Sequence, residues 1–456
     1  MERVTGKQSE VTIYLVPESL IVGHVTVPGS EGEVRINVEL YRREMRDGRE
    51  HWQPTGTFMT WSDGEFRFSG LSAGRYRLIT HEQMDQDPLL FMQGTQSSGY
   101  PPVYYPNTTD FSLASPIMVT AGATAQVNLT VERREYYPVR IPVADSRMGM
   151  QMSLLVYPMG HRGPGWSLGY NPAEGAIEGM LPNGNYTIEA DTRGQEQSTG
   201  IMNFSVTGGA FRGPALNLIP NSALSVNIRE EFRAGQGNVD SGSAEGGDAR
   251  INVRQQRSIH VILTRIEDFN PEGNIKSQTI EGRQGREITF PSVRPGRYGV
   301  SVTTGMGYAA SIQSGGIDLL HQPLVVGLGG GNAPIEVTLR DDGAEVSGTL
   351  EGATNAEMNA GQSEGGLPAR FVYFLPVGDS GGQYQMTVSG PDGMFKEQQL
   401  APGYYLVLAF EQVEQNLTYT NEEEIHALES KGQIIRVEAG QKLNLKLRTV
   451  ARSDAP

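Results

Sequence analysis

The chain has no cysteine among its 456 residues. This absence excludes disulfide bonds, zinc–thiolate centres, iron–sulfur clusters and cysteine nucleophiles, because each of them needs a thiol group. No stretch approaches the roughly 18 consecutive apolar residues of a membrane-spanning helix. Helical periodicity is also nearly missing, and its best candidate is a short polar segment at 421–430. The sequence is therefore not typical of a helical or thiol-dependent protein.

Positive charge is scarce as well. The chain carries 37 Lys and Arg residues against 52 Asp and Glu residues, which gives a net charge of −15. Binding to a nucleic-acid backbone needs a basic face, so nucleic acid is disfavoured as a partner. The N-terminal segment also lacks the apolar core of a signal peptide. Any export signal is therefore expected to lie upstream of this chain rather than within it.

Short runs of alternating apolar and polar residues fill most of the sequence. Glycine, proline, asparagine and aspartate separate these runs, and the 57 glycines are well above the usual share. A period of two places one face of a strand in a core and the other in water, as in the run Ile36, Val38 and Leu40. The sequence predicts an all-β fold built from sandwiches.

One motif occurs four times, at intervals of about 110 residues. It has the form Leu/Val-x-x-Gly-x-Tyr and enters an alternating run, as a tight turn entering a core strand would. Its tyrosine is expected to bury its ring and to need a partner for its hydroxyl, so a structural corner is predicted. The glycine–tyrosine pairs are Gly74 and Tyr76, Gly184 and Tyr186, Gly296 and Tyr298, and Gly403 and Tyr405.

A second repeated element closes each unit. It consists of a glycine followed by apolar residues at alternate positions, as after Gly122, Gly330 and Gly440. The two elements together predict four tandem sandwiches, of which the second is the most degenerate and the fourth contains the short helix. Their predicted ranges are 17–133, 134–219, 220–340 and 341–456.

Residues 1–16 carry the closing element without a unit of their own. Val11, Ile13 and Leu15 follow Gly6 at the same spacing as in the closing strands. A single strand cannot bury its apolar face or pair its backbone alone. We therefore expect either that this strand closes a missing upstream unit of a longer protein, or that it adds to an exposed sheet edge. That edge could belong to the first sandwich or to a neighbouring molecule.

The segments around three of the corners resemble the carboxypeptidase regulatory-like domain, with its Pro-Gly-x-Tyr signature. These segments are FRFSGLSAGRYRL at 66–78, ITFPSVRPGRYGV at 288–300 and FKEQQLAPGYYLV at 395–407. The resemblance implies prealbumin-like (Ig-like) sandwiches in an extended array, of the kind repeated in bacterial surface and envelope proteins. It carries over no catalytic residue, cofactor or metal. The wider superfamily includes carbohydrate-binding-like folds, so the resemblance also implies extracellular interaction.

Two short motifs suggest chemistry. Gly378-Asp-Ser380-Gly-Gly382 matches the nucleophile loop of chymotrypsin-like proteases, but the fourth unit has no histidine before Ser380, so a hairpin loop is favoured. His426 and Glu429 match one half of a zinc carboxypeptidase site, but no histidine follows to complete it. We interpret this pair as part of a polar helical turn.

An aromatic cluster is the best candidate for ligand binding. The segment 99–106, which includes Tyr100, Tyr104 and Tyr105, could form a contact surface for a glycan or a partner together with Trp52 and Trp61. Flat rings with polar edges suit the faces of sugars. The alternative, a proline-stiffened loop folded onto its own sandwich, is favoured.

These patterns lead to the hypothesis of a non-enzymatic structural or adhesive protein, extracellular or in the cell envelope. Strand addition could assemble it into a filament or surface layer. The alternatives are an array of carbohydrate-binding modules and an accessory region of a larger envelope protein. The expected partners are other protein chains, including copies of this one, or surface polysaccharide.

Overall fold

The computed structural model describes most of the chain. The described residues are 18–29, 35–46, 48–84, 97–145, 150–194, 196–233, 259–266, 277–282, 288–351, 370–411, 413–414, 417 and 422–450. They form β-strands throughout, with one α-helix and one 3-10 turn. The prediction of an all-β chain built from tandem sandwiches is confirmed by these sheets.

The first nine strands begin the array. They are β1 (Ser19–Thr26), β2 (Asn37–Arg46), β3 (Arg49–Met59), β4 (Glu65–Leu71), β5 (Gly74–Thr80), β6 (Gln83–Met84), β7 (Ser97–Tyr100), β8 (Ile117–Val119) and β9 (Thr124–Thr130). Two sheets, with orders β4-β1-β9 and β3-β2-β5-β8, form sandwich one. Their facing sides share one core, in which Ile21, Leu40, Phe66 and Leu129 are almost fully buried.

Sandwich two takes strands from both sides of a predicted boundary. Its own strands are β10 (Arg134–Pro142), β11 (Gln151–Pro158), β12 (Gly169–Asn171), β13 (Ala176–Pro182), β14 (Gly184–Arg193), β15 (Ser198–Val206), β16 (Phe211–Arg212) and β17 (Ile219–Pro220). One sheet has the order β12-β13-β10-β7-β6, with β16 also beside β10, and the other has the order β11-β14-β15-β17. The sheet that contains β6 and β7 thus crosses residue 133. Such short strands carry no repeat, so sequence spacing assigned them to the preceding unit.

Sandwich three follows the same plan with a fuller set of strands. They are β18 (Ser222–Glu231), β19 (Ile259–Arg265), β20 (Ser277–Gly282), β21 (Ile288–Val293), β22 (Gly296–Thr304), β23 (Tyr308–Ser314), β24 (Ile317–Asp318), β25 (Leu324–Val326) and β26 (Ile335–Arg340). The two sheets have the orders β21-β18-β26-β23-β24 and β20-β19-β22-β25. Aliphatic residues from both sheets, such as Val226, Val261 and Val337, fill the core between them.

Sandwich four is nearly closed. Its elements are β27 (Ala344–Glu351), β28 (Phe371–Pro376), β29 (Gln385–Val388), β30 (Met394–Leu400), β31 (Gly403–Phe410), α1 (Glu422–Glu429), β32 (Gln433–Val437) and β33 (Lys442–Val450). The strands form the order β29-β28-β31-β33-β27-β30, and β32 also pairs with β31. Helix α1 lies within the predicted segment 421–430 and packs Ile425 and Leu428 against Leu406 and Leu408 of β31. Within the described residues, no helix is long and apolar enough to cross a membrane.

The first strand of each sandwich lies between two fixed neighbours. It pairs antiparallel with the strand before the tyrosine motif and parallel with the closing strand, as β1 does with β4 and β9. Gly23 of β1 and Gly348 of β27 permit this pairing, because a Cβ at either position would overlap a carbonyl of the closing strand and a phenylalanine ring. The glycine in the first strand therefore serves close packing between strands.

The tyrosine motifs form four corners of one geometry. In each corner the tyrosine hydroxyl donates a hydrogen bond to the carbonyl oxygen four residues earlier. The four bonds are Tyr76 to Ser72 (2.7 Å), Tyr186 to Pro182 (2.9 Å), Tyr298 to Arg294 (2.9 Å) and Tyr405 to Ala401 (2.8 Å). All four tyrosines are at most 4% exposed. Each ring thereby ties the turn between two sheets to the core.

The glycines of these corners are not all alike. Gly74, Gly296 and Gly403 have φ values of +159°, +150° and +157°, which disfavour other residues. Gly184, by contrast, does not adopt a positive φ. Its constraint is space instead, because a Cβ at Gly184 would lie 3.0 Å from the Tyr186 hydroxyl.

The corner at Tyr298 gives a direct test of these contacts. Tyr298→Phe is expected to destabilise the protein by about 1 kcal/mol, because the Arg294 carbonyl loses its donor. Tyr298→Ala should cost roughly 3–5 kcal/mol, because the change also leaves a cavity. Tyr404, which is 49% exposed, is the matched control, and Tyr404→Ala should change stability by less than about 1 kcal/mol. Urea unfolding of the full chain measures all three; equal, small losses for both Tyr298 variants would contradict the buried corner.

Candidate interaction sites at the sandwich junctions

The predicted aromatic contact surface is largely buried. Trp52, Tyr100 and Tyr104 are 3%, 4% and 1% exposed, and Tyr105 is half-buried against the core of sandwich one. Trp61 is 50% exposed and stands edge-on to Phe58. A buried ring offers no face to a sugar. Glycan contact at this surface therefore stays a prediction that can involve only Trp61 and Tyr105.

The buried part of this cluster joins sandwiches one and two. The Tyr104 hydroxyl donates a hydrogen bond of 2.7 Å to the carbonyl oxygen of Pro164 in sandwich two. Tyr104 also packs edge-on against Phe111, which lies in the 3-10 turn Phe111–Leu113. Leu155 of β11 packs against the same cluster. The segment 99–106 thus makes an intramolecular contact between two sandwiches.

Two charged groups lie at the same junction. The Ser167 hydroxyl and backbone amide both donate to Glu82 Oε2, at 3.0 and 3.3 Å. The buried hydroxyl of Tyr136 faces the same carboxyl group. Burial raises the pKa of Glu82 to about 7, although the bonds from Ser167 oppose this shift. Protonation of Glu82 therefore affects how this junction is held. The same two sandwiches also meet where His161 Nδ1 lies 2.6 Å from Asp110 Oδ2.

Sandwiches two and three are joined by an ion pair. Arg294, which precedes the corner of sandwich three, places Nη1 3.1 Å from Asp191 Oδ2 of β14, and each side chain is 16% exposed. Ser292 also donates a hydrogen bond to the side-chain oxygen of Gln197, at 3.2 Å. Since both groups of the ion pair are largely shielded from water, breaking the pair would leave a charge poorly solvated.

Sandwiches three and four meet through a two-point amide contact. The Gln383 side chain accepts a hydrogen bond from the Val302 amide at 3.0 Å and donates one to the Val302 carbonyl at 3.1 Å. His321 adds a second contact, with Nε2 3.1 Å from the backbone oxygen of Ser380 and Nδ1 2.7 Å from Asp318 Oδ2. Both partners of this imidazole are acceptors, so only the protonated ring can donate to both.

The resulting Asp–His–Ser arrangement does not have the geometry of a catalytic triad. Sequence reasoning considered histidines within the fourth unit and missed His321, which the preceding sandwich brings to Ser380. The imidazole meets the backbone oxygen of Ser380, however, rather than its hydroxyl. Ser380 is 3% exposed, and its Oγ occupies the space that a Cβ at Gly403 would need. A proton cannot pass directly from this hydroxyl to His321 in such a geometry.

The remaining motifs lie apart from the junctions. His426 Nδ1 lies 2.8 Å from Glu429 Oε1 on the surface of α1, as a polar helical turn would place them. Among the described residues, no group of three or more His, Asp or Glu side chains could hold a metal ion. Val11, Ile13 and Leu15, the residues predicted for strand addition, lie outside the described residues.

Comparisons with known proteins give a distant likeness. No protein-family model and no curated protein matches the chain, so the resemblance to the carboxypeptidase regulatory-like domain stays a prediction. The chain is similar to a streptococcal ancillary pilin, with 10% identity, a TM-score of 0.23, and coverage of 71% of this chain and 99% of the pilin. It is also similar to the Bacillus anthracis TIE protein, with 9% identity, a TM-score of 0.18, and coverage of 94% and 74%.

A third similar structure is the full-length RrgB pilus protein from Streptococcus pneumoniae. Its identity is 8%, its TM-score is 0.15, and the match covers 95% of this chain and 98% of that protein. At such TM-scores the likeness carries no argument about function, which has to rest on the residues of this chain.

The junction at Glu82 is expected to depend on pH. A carboxyl group whose pKa is raised from 4.5 to about 7 stabilises the folded state fully below pH 4.5, and this stabilisation is lost as pH rises through 7. We expect stability to fall over this range by on the order of 2 kcal/mol. Glu82→Gln should remove this part of the pH dependence, because glutamine stays neutral.

Glu132→Gln is the matched control, since the Glu132 side chain is 68% exposed in its ion pair with Arg134. Urea unfolding between pH 4.5 and pH 8 measures the effect in both variants. If Glu82→Gln kept the pH slope of the unmodified protein, Glu82 would not be the titrating group.

The serine motif makes a separate prediction. Ser380→Ala removes a buried hydroxyl without leaving a large cavity, so stability should change by less than about 1 kcal/mol. The unmodified protein should show no labelling by a fluorophosphonate probe, because Ser380 Oγ is inaccessible and not activated. Labelling of the unmodified protein that disappears in Ser380→Ala would overturn this interpretation.

Proposed function

We propose that this chain is a non-enzymatic structural protein of the cell surface or envelope, whose sandwiches are linked in series. The observation that carries the proposal is that every junction between successive sandwiches is bonded. Sandwiches one and two are joined by the Tyr104–Pro164 hydrogen bond and by β6 and β7, which come before residue 133 but lie in a sheet of sandwich two. Sandwiches two and three share the Arg294–Asp191 pair, and three and four share the Gln383–Val302 contact.

These contacts favour a mechanical role over independent binding modules. Sandwiches within one chain usually move relative to each other unless their interface is extensive. The pairing of β7 with β10 and the shielded ion pair oppose such movement, because separation would expose unpaired backbone groups and leave charges unsatisfied. A chain whose sandwiches are held in place relative to their neighbours suits a load-bearing or spacing role outside the cell.

A free sheet edge in sandwich one supports assembly by strand addition. In sandwich three the closing strand β26 pairs with β18 on one side and with β23 on the other. In sandwich one, within the described part of the chain, the closing strand β9 pairs with β1 alone. The two strands that follow the corner strand β5 are β6 and β7, and both lie in the sheet of sandwich two, where β7 pairs with β10.

The backbone of β9 is suited to an incoming strand. The odd-numbered residues on this side of the chain bond to β1; for example, the Leu20 amide of β1 donates to the oxygen of Ala123. The backbone groups of the even-numbered residues of β9 therefore point outward. At one end the Asn107 side chain accepts a bond from the outward amide of Thr130, at 2.7 Å. The remaining outward positions, Thr124, Gln126 and Asn128, can pair with a further strand.

We assign the incoming strand to residues 6–15 of a neighbouring copy of the chain. Their alternating Val11, Ile13 and Leu15 would extend the apolar face formed by the buried Val127 and Leu129 of β9. Repeated addition from one molecule to the next would build a filament, because a head-to-tail contact need not close on itself.

Strand addition predicts concentration-dependent self-association. The full chain should form oligomers in light scattering and linear particles in electron microscopy, whereas a variant without residues 1–16 should stay monomeric. Gln126→Pro should also reduce association at least tenfold, because it removes an outward donor of β9. Thr57→Pro on the outer edge strand β3 of the other sheet is the matched control and should not affect assembly.

Two results would contradict this prediction. If the full-length and shortened proteins were both monomers of equal stability, no strand addition would occur. If both were monomers but the shortened protein were less stable, the strand would belong to its own sandwich and not to a neighbouring copy.

A further inference from the structure

A cleft of about 470 Å³ lies between sandwiches two and three. One wall is the outer face of β14 and β15, which presents Glu189, Asp191 and Ile201. The other wall is the corner end of sandwich three, with Arg265, Pro295–Arg297 and Leu328. The volume is within the range of small-ligand sites in proteins, which commonly lie between domains.

The cleft is positively charged, although the chain as a whole is strongly acidic. Three arginines line it, Arg162, Arg265 and Arg297, against the two carboxylates of Glu189 and Asp191. Arg294 lies beside the cleft and adds a fourth guanidinium, so arginines outnumber carboxylates at this site.

The carboxylates are already engaged. Arg162 bonds to Glu189 at 3.1 Å, and Arg294 from beside the cleft bonds to Asp191 at the same distance. The exposed Arg297 takes part in no ion pair among the described residues, so its guanidinium is available to an anion. A single guanidinium without an ion pair suits a monoanion better than a phosphate dianion.

The corner fixes the position of Arg265. Arg265 Nη2 donates to the Pro295 carbonyl at 3.3 Å, and the guanidinium lies over Gly296, where a Cβ would approach its Nε to 3.1 Å. Arg297 follows directly in the same turn and is exposed. Its guanidinium can bind a carboxylate through paired hydrogen bonds.

The other lining groups suit a sugar ring. Ile201 and Leu328 are 42% and 43% exposed, and with Pro295 they offer an apolar surface to the C–H face of a ring. Asp191 accepts one hydrogen bond from Thr199 and one from Arg294, and a carboxylate has about four acceptor positions. Asp191 can therefore also accept bonds from ligand hydroxyls.

We infer that the cleft between sandwiches two and three binds a hexuronate, a sugar ring that carries one carboxylate. Arg297 receives the carboxylate, Asp191 accepts from ring hydroxyls, and Ile201 and Leu328 cover the apolar face. The hexuronate is either a free sugar acid or one unit of an acidic polysaccharide. This inference does not depend on strand addition or on the structural role of the array.

Titration calorimetry of the full chain tests this site. Glucuronate and a tetramer of galacturonate should bind, whereas glucose and the methyl ester of glucuronate should bind at least tenfold more weakly. Arg297→Gln and Ile201→Glu should each lower hexuronate affinity at least tenfold, because one removes a positive charge and the other adds a negative one. Both positions are exposed, so the unfolding curve of each variant should stay unchanged.

Arg75→Gln is the matched control. Arg75 follows the corner glycine of sandwich one in the same Gly-Arg-Tyr sequence but does not line the cleft, so its substitution should leave hexuronate binding unchanged. Tighter binding of the tetramer than of the monomer would identify the polysaccharide as the source, and equal binding would identify the free sugar acid.

Three results would overturn the inference. These are no saturable binding of any hexuronate, equal loss of binding in Arg75→Gln and Arg297→Gln, and stronger binding of glucose 6-phosphate than of glucuronate. The last result would show that the cleft selects a phosphate instead of a carboxylate.

Discussion

The hydrogen bond from a corner tyrosine to the carbonyl four residues earlier is the contact on which the architecture depends. It fixes the turn by which the chain passes from the strand beside the first strand into the core strand of the opposite sheet. Tyr76, Tyr186, Tyr298 and Tyr405 make this bond from buried rings. Because the ring is anchored in the core, the turn cannot change without opening the sandwich. The four units thus share one local solution to joining two sheets.

The corners also determine what the junctions can do. Arg294, which accepts the bond from Tyr298 through its carbonyl, uses its side chain to hold Asp191 of the preceding sandwich. Ser380, whose carbonyl meets His321, packs its hydroxyl against the corner of sandwich four at Gly403. A residue that belongs to a corner therefore also contacts a neighbour. This coupling places the proposed uronate cleft at the corner end of sandwich three, where the Pro295 carbonyl holds Arg265.

Sequence reasoning succeeded where a signal is local. The corner pairs, the alternating strands and the polar helix could all be found from residues close together in the chain. At Trp52 and Tyr104 it left a glycan surface and a folded-back loop as alternatives, because an aromatic segment has the same composition whether its rings face water or a neighbouring sandwich. It also missed His321 beside Ser380, since the two residues are distant in sequence and lie in different sandwiches. No sequence signal marked Glu82 at all, because its raised pKa comes from burial by sandwich two.

The sequence by itself determined the fold class, the four corners and the lack of thiol chemistry, because periodicity, turn residues and composition act over a few residues. Only the tertiary structure decided that β7 joins the sheet of sandwich two, and hence that β9 pairs with β1 alone among the described strands. It alone also brought Arg265 and Arg297 opposite Glu189 and Asp191. The physical reason is that sheet pairing and charge placement between sandwiches depend on distances in space, which the spacing of residues along a chain does not set.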